Sequence, residues 1–140
     1  MQYTSHPMSN SQLITNLMKA MNGEYNAIHF YEQLAKLAPN EIVKHRILEI
    51  RKDEMRHYQG FSNIYTLLTG HQYSPQLSEP LPTNFKSGVD TAFKDEQEAV
   101  DFYHQAARES NIPYISEQYR LNAADEQNHA VWFLYFLNNI

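Results

Sequence analysis

No cysteine occurs among the 140 residues, which excludes disulfides, thiolate-held metals, iron–sulfur clusters and cysteine nucleophiles together. Basic residues are the minority, 11 Lys and Arg against 16 Asp and Glu. A net charge of -5 and a pI near 5.7 argue against a nucleic-acid partner or an anionic membrane surface. Long apolar runs are absent as well. The longest, Ala130 to Leu137, has eight residues, far short of the ~20 that span a bilayer. The polar start, Met1 to Ser11, has neither a basic nor an apolar stretch of the kind found in secretory leaders, so a cytoplasmic location is expected. What remains, 42% apolar and 13% aromatic residues, suffices for one globular domain over residues 1–140.

Glycine and proline are also scarce, four and six respectively, so they act as punctuation between long helix-compatible stretches. Helices are predicted over about 11–38, 41–70, 85–110 and 113–139, with Ser9 or Ser11 capping the first and Asn40 the second. Pro75, Pro80 and Pro82 keep 71–84 extended. The turns at Pro39-Asn40 and Asn111–Pro113 join antiparallel neighbours. The 14 intervening residues reach ~46 Å when extended, about the length of a thirty-residue helix. The expected fold is an all-α four-helix bundle, two antiparallel hairpins joined by a long crossover.

A heptad frame tests which side chains face inward. On helix 1 it aligns Ile14, Met21, Ile28 and Ala35 beside Leu17, Glu24, Tyr31 and Ala38; on helix 2, Val43, Ile50, His57 and Ile64 beside Ile47, Glu54, Phe61 and Leu68. Helix 3 gives Val89, Glu96 and Tyr103 beside Phe93, Val100 and Ala107, and helix 4 gives Ile115, Asn122, His129 and Phe136 beside Tyr119, Glu126 and Phe133. Four glutamates and two histidines thus interrupt apolar stripes.

The halves repeat at an offset of 72 residues. Glu24-x-x-Ala27-x-x-x-Tyr31 returns as Glu96-x-x-Ala99-x-x-x-Tyr103, and Asp53-Glu54-x-x-His57 returns as Asp125-Glu126-x-x-His129. This selects Glu96 over Asp95 and Glu98 as the inward acid. Glu24 precedes its turn by about as many residues as Glu54 follows it, and the same holds for Glu96 and Glu126, so the four carboxylates share one layer. Each histidine lies at i+3 from its glutamate, on the same face. Four buried carboxylates repel unless protonated or neutralised by cations. Two divalent ions would cancel them, and a carboxylate-rich set with one imidazole per ion suits iron or manganese better than closed tetrahedral zinc.

This pattern resembles the ferritin-like di-iron carboxylate proteins over residues 11–139, and within them the rubrerythrin and bacterioferritin branches. The resemblance implies two irons, with manganese possible, held by Glu24, Glu54, His57, Glu96, Glu126 and His129, Glu54 and Glu126 bridging. Tyr31 and Tyr103 would donate to ligand carboxylates or serve catalysis, and core packing explains them equally. Asp53 and Asp125 would accept from the outer histidine nitrogens across helices 2 and 4. The chain departs from the peroxidase-type rubrerythrin pattern at Ala99, where those proteins carry a further glutamate, and without cysteine it has no rubredoxin iron. A chain ending with its fourth helix disfavours mineral storage in a large shell. Met55 sits where bacterioferritins bind haem; packing is the favoured reading for it, as for Met18 and Met21, and haem is not expected.

The implied function is a redox enzyme that reduces peroxide or dioxygen or oxidises ferrous iron, with an external electron donor. The alternatives are an iron-binding or storage protein and a metal-stabilised structural bundle. A homodimer is expected, with Tyr65, Tyr73, Phe85 and Tyr114 as contact candidates. His6, His45 and His71 read as surface, His29 and His104 as off the inward faces, and Trp132 as packing.

Overall fold

The computed structural model describes residues 10–140. Four helices occupy most of them: α1 (Asn10–Lys36), α2 (Glu41–Thr69), α3 (Phe85–Glu109) and α4 (Pro113–Leu137). No strand occurs among the described residues. The cap at Ser9 and the surface position of His6 lie outside the described residues. Ser11 does not cap α1 but stands inside it. Asn40 caps α2, its side-chain oxygen accepting from the Val43 N–H at 2.9 Å, and Asn84 does the same for α3 through Ser87 at 3.0 Å. Gly70 ends α2 in the left-handed conformation, φ 75°, which a residue without Cβ adopts cheaply.

α1 packs along α2 and α3 along α4, making two antiparallel hairpins; the α1–α3 and α2–α4 contacts are sparser. The connection from Gly70 to Asn84 is long and non-helical, which carries the chain from one hairpin to the other. Side chains of α1 tie it down. Asn26 donates to the Gln76 carbonyl at 3.1 Å and accepts from the Ser78 and Glu79 N–H groups at 2.9 and 3.0 Å. Asn22 donates to the Tyr73 hydroxyl at 2.8 Å. At the α3 end of the crossover, a Cβ on Gly88 would lie 2.6 Å from Leu34 and 3.0 Å from Pro82. Glycine is therefore what lets α1, α3 and the crossover meet there.

The apolar core forms two clusters. One includes Leu13, Leu17, Met21, Phe61, Ile64 and Tyr119; the other includes Tyr31, Leu34, Ile47, Ile50, Val89 and Phe133. The heptad frame misplaced several side chains. Ile14, Ile28, Ala38, Val43 and Phe93 are only half-buried and Leu68 is exposed, whereas Leu13, Ala20, Leu34, Ala92 and Ala123 are buried. A straight helix drifts ~20° per heptad against a strict seven-residue repeat, so the inward stripe slides off the assigned positions. Tyr65, Tyr73 and Phe85 pack against the core rather than standing free; of the suggested contact residues only Tyr114 is exposed. Met55 does not pack inside either; 46% of its surface is exposed. Among the described residues, no helix is long and apolar enough to cross a membrane.

Candidate metal centre

Glu24 from α1, Glu54 and His57 from α2, Glu96 from α3, and Glu126 and His129 from α4 converge in the middle of the bundle, each 2% exposed or less. The i, i+3 spacing puts each histidine one turn along from its own glutamate. His57 Nδ1 lies 2.9 Å from Glu24, 3.1 Å from Glu126 and 3.3 Å from Glu54. His129 Nδ1 lies 3.4 Å from Glu54 and 3.5 Å from both Glu96 and Glu126. These atoms form two overlapping groups able to hold a metal ion, Glu24, Glu54, His57 and Glu126, and Glu54, Glu96, Glu126 and His129. Glu54 and Glu126 belong to both. The two imidazoles lie nearly parallel, 6.4 Å apart.

One atom of each residue tests whether metals fit. Glu24 Oε2, Glu54 Oε1, His57 Nδ1, Glu96 Oε2, Glu126 Oε1 and His129 Nδ1 are fully buried and make no hydrogen bond within the protein. Buried polar atoms without partners cost ~1–3 kcal/mol each, and six orphans converging from four helices are the atoms that coordination would satisfy. Outside this layer every imidazole is anchored. His57 Nε2 lies 2.7 Å from Asp125 and His129 Nε2 lies 2.8 Å from Asp53. Each contact crosses between α2 and α4. A carboxylate on Nε2 holds a proton there, so Nδ1 is the nitrogen that offers a lone pair inward once its own proton is displaced.

The charges respond as buried groups must. Burial and the neighbouring Glu126 push Glu24 up to about 7, and burial with Glu126 carries Glu54 and Glu96 well above the usual carboxylate range. Burial alone would lower the histidines, but Glu126 and Glu24 hold His57 at about 10, and Glu126 and Glu96 hold His129 at about 11. Burial would raise Glu126 too, yet the two imidazoles beside it keep it well below its ordinary value. Without metal the layer therefore keeps protons on imidazoles and carboxylates. Outside it, burial is outweighed at Asp53 by His129 and Arg56, which lower its pKa.

Tyr31 donates a short hydrogen bond to Glu96. Tyr103, its repeat counterpart, favours the charged form of Glu24, a small effect beside burial. Burial, with those same glutamates, raises both tyrosines well above their ordinary value, so both remain protonated donors. A cavity of about 350 Å³ between α1 and α3 is lined by Glu24, Glu54, Glu96 and Glu126 but by neither histidine. Its walls include Ala27, Phe30, Ala99 and Phe102, and its polar lining includes Lys19, Glu79, Asp95 and Glu98. Asp95 and Glu98 are exposed, as the repeat argument required. Partial burial at the cavity wall, with Glu98 and Glu79, raises Asp95 to about 6.

Sequence reasoning missed the cavity's polar lining, the crossover ties of Asn22 and Asn26, and Arg56, which bonds both Asp53 and Asp125. The only signal for Arg56 was its i+3 spacing from Asp53, an ordinary helix-surface pair. The remaining histidines lie apart from the centre. His45, His71 and His104 are exposed and His29 is half-buried, while Trp132 packs on the core beneath the Arg46 guanidinium, 4.1 Å from its ring.

No family model matches the sequence. Among solved structures, the bacterioferritin of Desulfovibrio desulfuricans, described with a diiron site, superposes with a TM-score of 0.81 at 20% identity, covering 93% of this chain and 80% of that one. A hypothetical protein of Pyrococcus furiosus superposes with a TM-score of 0.78 at 19% identity, covering 90% and 88%. These likenesses establish a ferritin-like four-helix fold. The uncharacterized protein YhjR of Bacillus subtilis (strain 168) is 51% identical over 125 residues, which is 89% of this chain and 86% of the relative. On that identity and coverage, the chain belongs to the family of Bacillus subtilis YhjR.

Proposed function

We propose that this protein is a di-iron carboxylate redox enzyme of the rubrerythrin and bacterioferritin kind. Glu24 and His57 would hold one iron, Glu96 and His129 the other, with Glu54 and Glu126 shared. The observation that carries this reading is the set of six buried, unpartnered ligand atoms, one from each residue. Three carboxylates and one imidazole per group favour iron, or manganese, over closed tetrahedral zinc. When bound, the pair supplies electron transfer to peroxide or dioxygen, or accepts electrons from ferrous iron.

The protein's own part is positioning and exclusion. Asp53 and Asp125 hold the Nε2 protons of His129 and His57. Tyr31 holds a proton on its hydroxyl and orients Glu96. Apolar clusters packed around the centre leave the α1–α3 cavity as its described approach and so limit side reactions. The α1–α3 cavity gives a small oxidant or a ferrous ion access to all four carboxylates, and the acidic side chains in its lining favour a cation. A cysteine-free chain has no thiolate-held iron of its own, so electrons would come from a separate donor. A cytoplasmic homodimer is part of this proposal.

The test is anaerobic loading with ferrous iron followed by peroxide. Stoichiometric peroxide consumption, with oxo-bridged diferric absorbance, supports the enzyme. Bound iron without consumption would leave a storage or structural role.

A further inference from the structure

On the α2–α4 face, opposite the cavity, one guanidinium nitrogen makes two bonds. Arg56 Nη2 donates to Asp53 Oδ1 at 3.0 Å on its own helix and to Asp125 Oδ2 at 3.2 Å on α4. Asp53 uses its other oxygen for His129, while Asp125 uses the same Oδ2 for His57. The result is a continuous arc, His57, Asp125, Arg56, Asp53, His129, that links the two inward Nδ1 atoms from outside. Among the described residues, no other lysine or arginine lies within ion-pair distance of either aspartate. The internal repeat breaks here, since the counterpart of Arg56 is Asn128. One cation therefore serves both halves.

We propose that Arg56 is a positioning residue for both metal ligands at once, an inference that rests on the metal reading above. By fixing the two aspartates, it keeps each Nε2–H committed outward and each Nδ1 lone pair turned to the centre. Its contribution to folding is small, because its side chain is 61% exposed and exposed ion pairs contribute little. Its contribution to binding acts through two histidines. Arginine suits the task because its planar fork presents diverging N–H groups to two acceptors, whereas a lysine is a point charge on a shorter stem.

The sign of the effect separates positioning from bulk electrostatics. Removing a positive charge near a cation site tightens cation binding if only charge matters. Removing a positioning group weakens it, about tenfold or more for partners that orient metal-bound histidines. The experiment titrates the full-length protein with Co²⁺, following heat and the visible d–d spectrum, in wild type, Arg56→Met and Arg56→Lys. Melting of the metal-free proteins checks the fold. The expected result is two sites in wild type, both weakened about tenfold or more in Arg56→Met with altered d–d bands, and an intermediate loss in Arg56→Lys. In an Asp53→Asn, Asp125→Asn background, Arg56→Met should add nothing. Unchanged or tighter Co²⁺ binding in Arg56→Met overturns this inference alone, as does a loss that persists undiminished in the double-aspartate background. Failure of wild type to bind Co²⁺ overturns the metal reading and this inference with it.

Discussion

At the scale of single residues, the centre consists of groups that are costly to bury and that share a common remedy. Asp125 illustrates the dependence. It accepts from His57 at 2.7 Å, and Asp125→Asn removes the charge that favours the Nδ1 lone pair facing inward. A loss of about tenfold to a hundredfold in metal affinity, read by competition with a chelating dye, is expected first at the site that includes His57.

The pH response follows from proton positions. Glu24 rises from 4.5 to about 7, so its contribution to folding without metal is complete below pH 4.5 and is lost as pH rises through about 7. Glu54 and Glu96 shift in the same direction. His57, raised from 6.5 to about 10, contributes fully below 6.5 and loses that only as pH rises through about 10. Glu126, lowered, contributes above 4.5 and loses it only in strong acid. The metal-free melting temperature should therefore fall from pH 5 to 8, while metal, which displaces these protons, binds more tightly over the same range. Melting curves and titrations in buffers of different ionisation enthalpy check both; proton-neutral binding would count against the arrangement.

Elements carry these residues to one height. The caps at Asn40 and Asn84 and the stop at Gly70 were built from local signals of one to four residues; Asn40 was legible in advance for that reason. The six inward polar residues were legible too, because a glutamate or histidine in an apolar stripe stands out and the 72-residue repeat removed the ambiguity at Glu96. The exact helical stripe was not. Leu13, Ala20 and Leu34 took the places given to Ile14 and Ile28 because helical phase drifts. Nor was the crossover's attachment legible, since Asn26 bonds residues about fifty positions away and nothing in its own neighbourhood marks that. Asn26→Ala leaves the Ser78 and Glu79 N–H groups without that acceptor. Limited proteolysis should then cut the 73–79 segment faster than in wild type, with the helices intact by circular dichroism; equal cutting rates would mean that the tie does not hold the segment.

On the scale of the whole molecule, a polar layer of four glutamates and two histidines lies between two apolar clusters; among the described residues the other buried polar side chains are the uncharged Asn16, Asn26, Ser116 and Asn122. Such a layer is a poor way to stabilise a fold, because ionised side chains removed from water need compensation. It makes physical sense as a site for two cations, whose four positive charges match the four carboxylates. The α1–α3 cavity reaches the four carboxylates from one side, and on the α2–α4 side Asp53 and Asp125 anchor the two histidines. The anchoring by Asp53 and Asp125 was expected from the family resemblance, whereas the cavity was not legible, because its lining gathers residues far apart in the chain. The most direct measurement is the metal stoichiometry of the purified protein loaded anaerobically with ferrous iron, in wild type, Glu54→Ala and His129→Ala. A di-iron centre predicts about two irons per chain in wild type and loss of binding in both variants; a wild type without iron, or full occupancy in both variants, contradicts it.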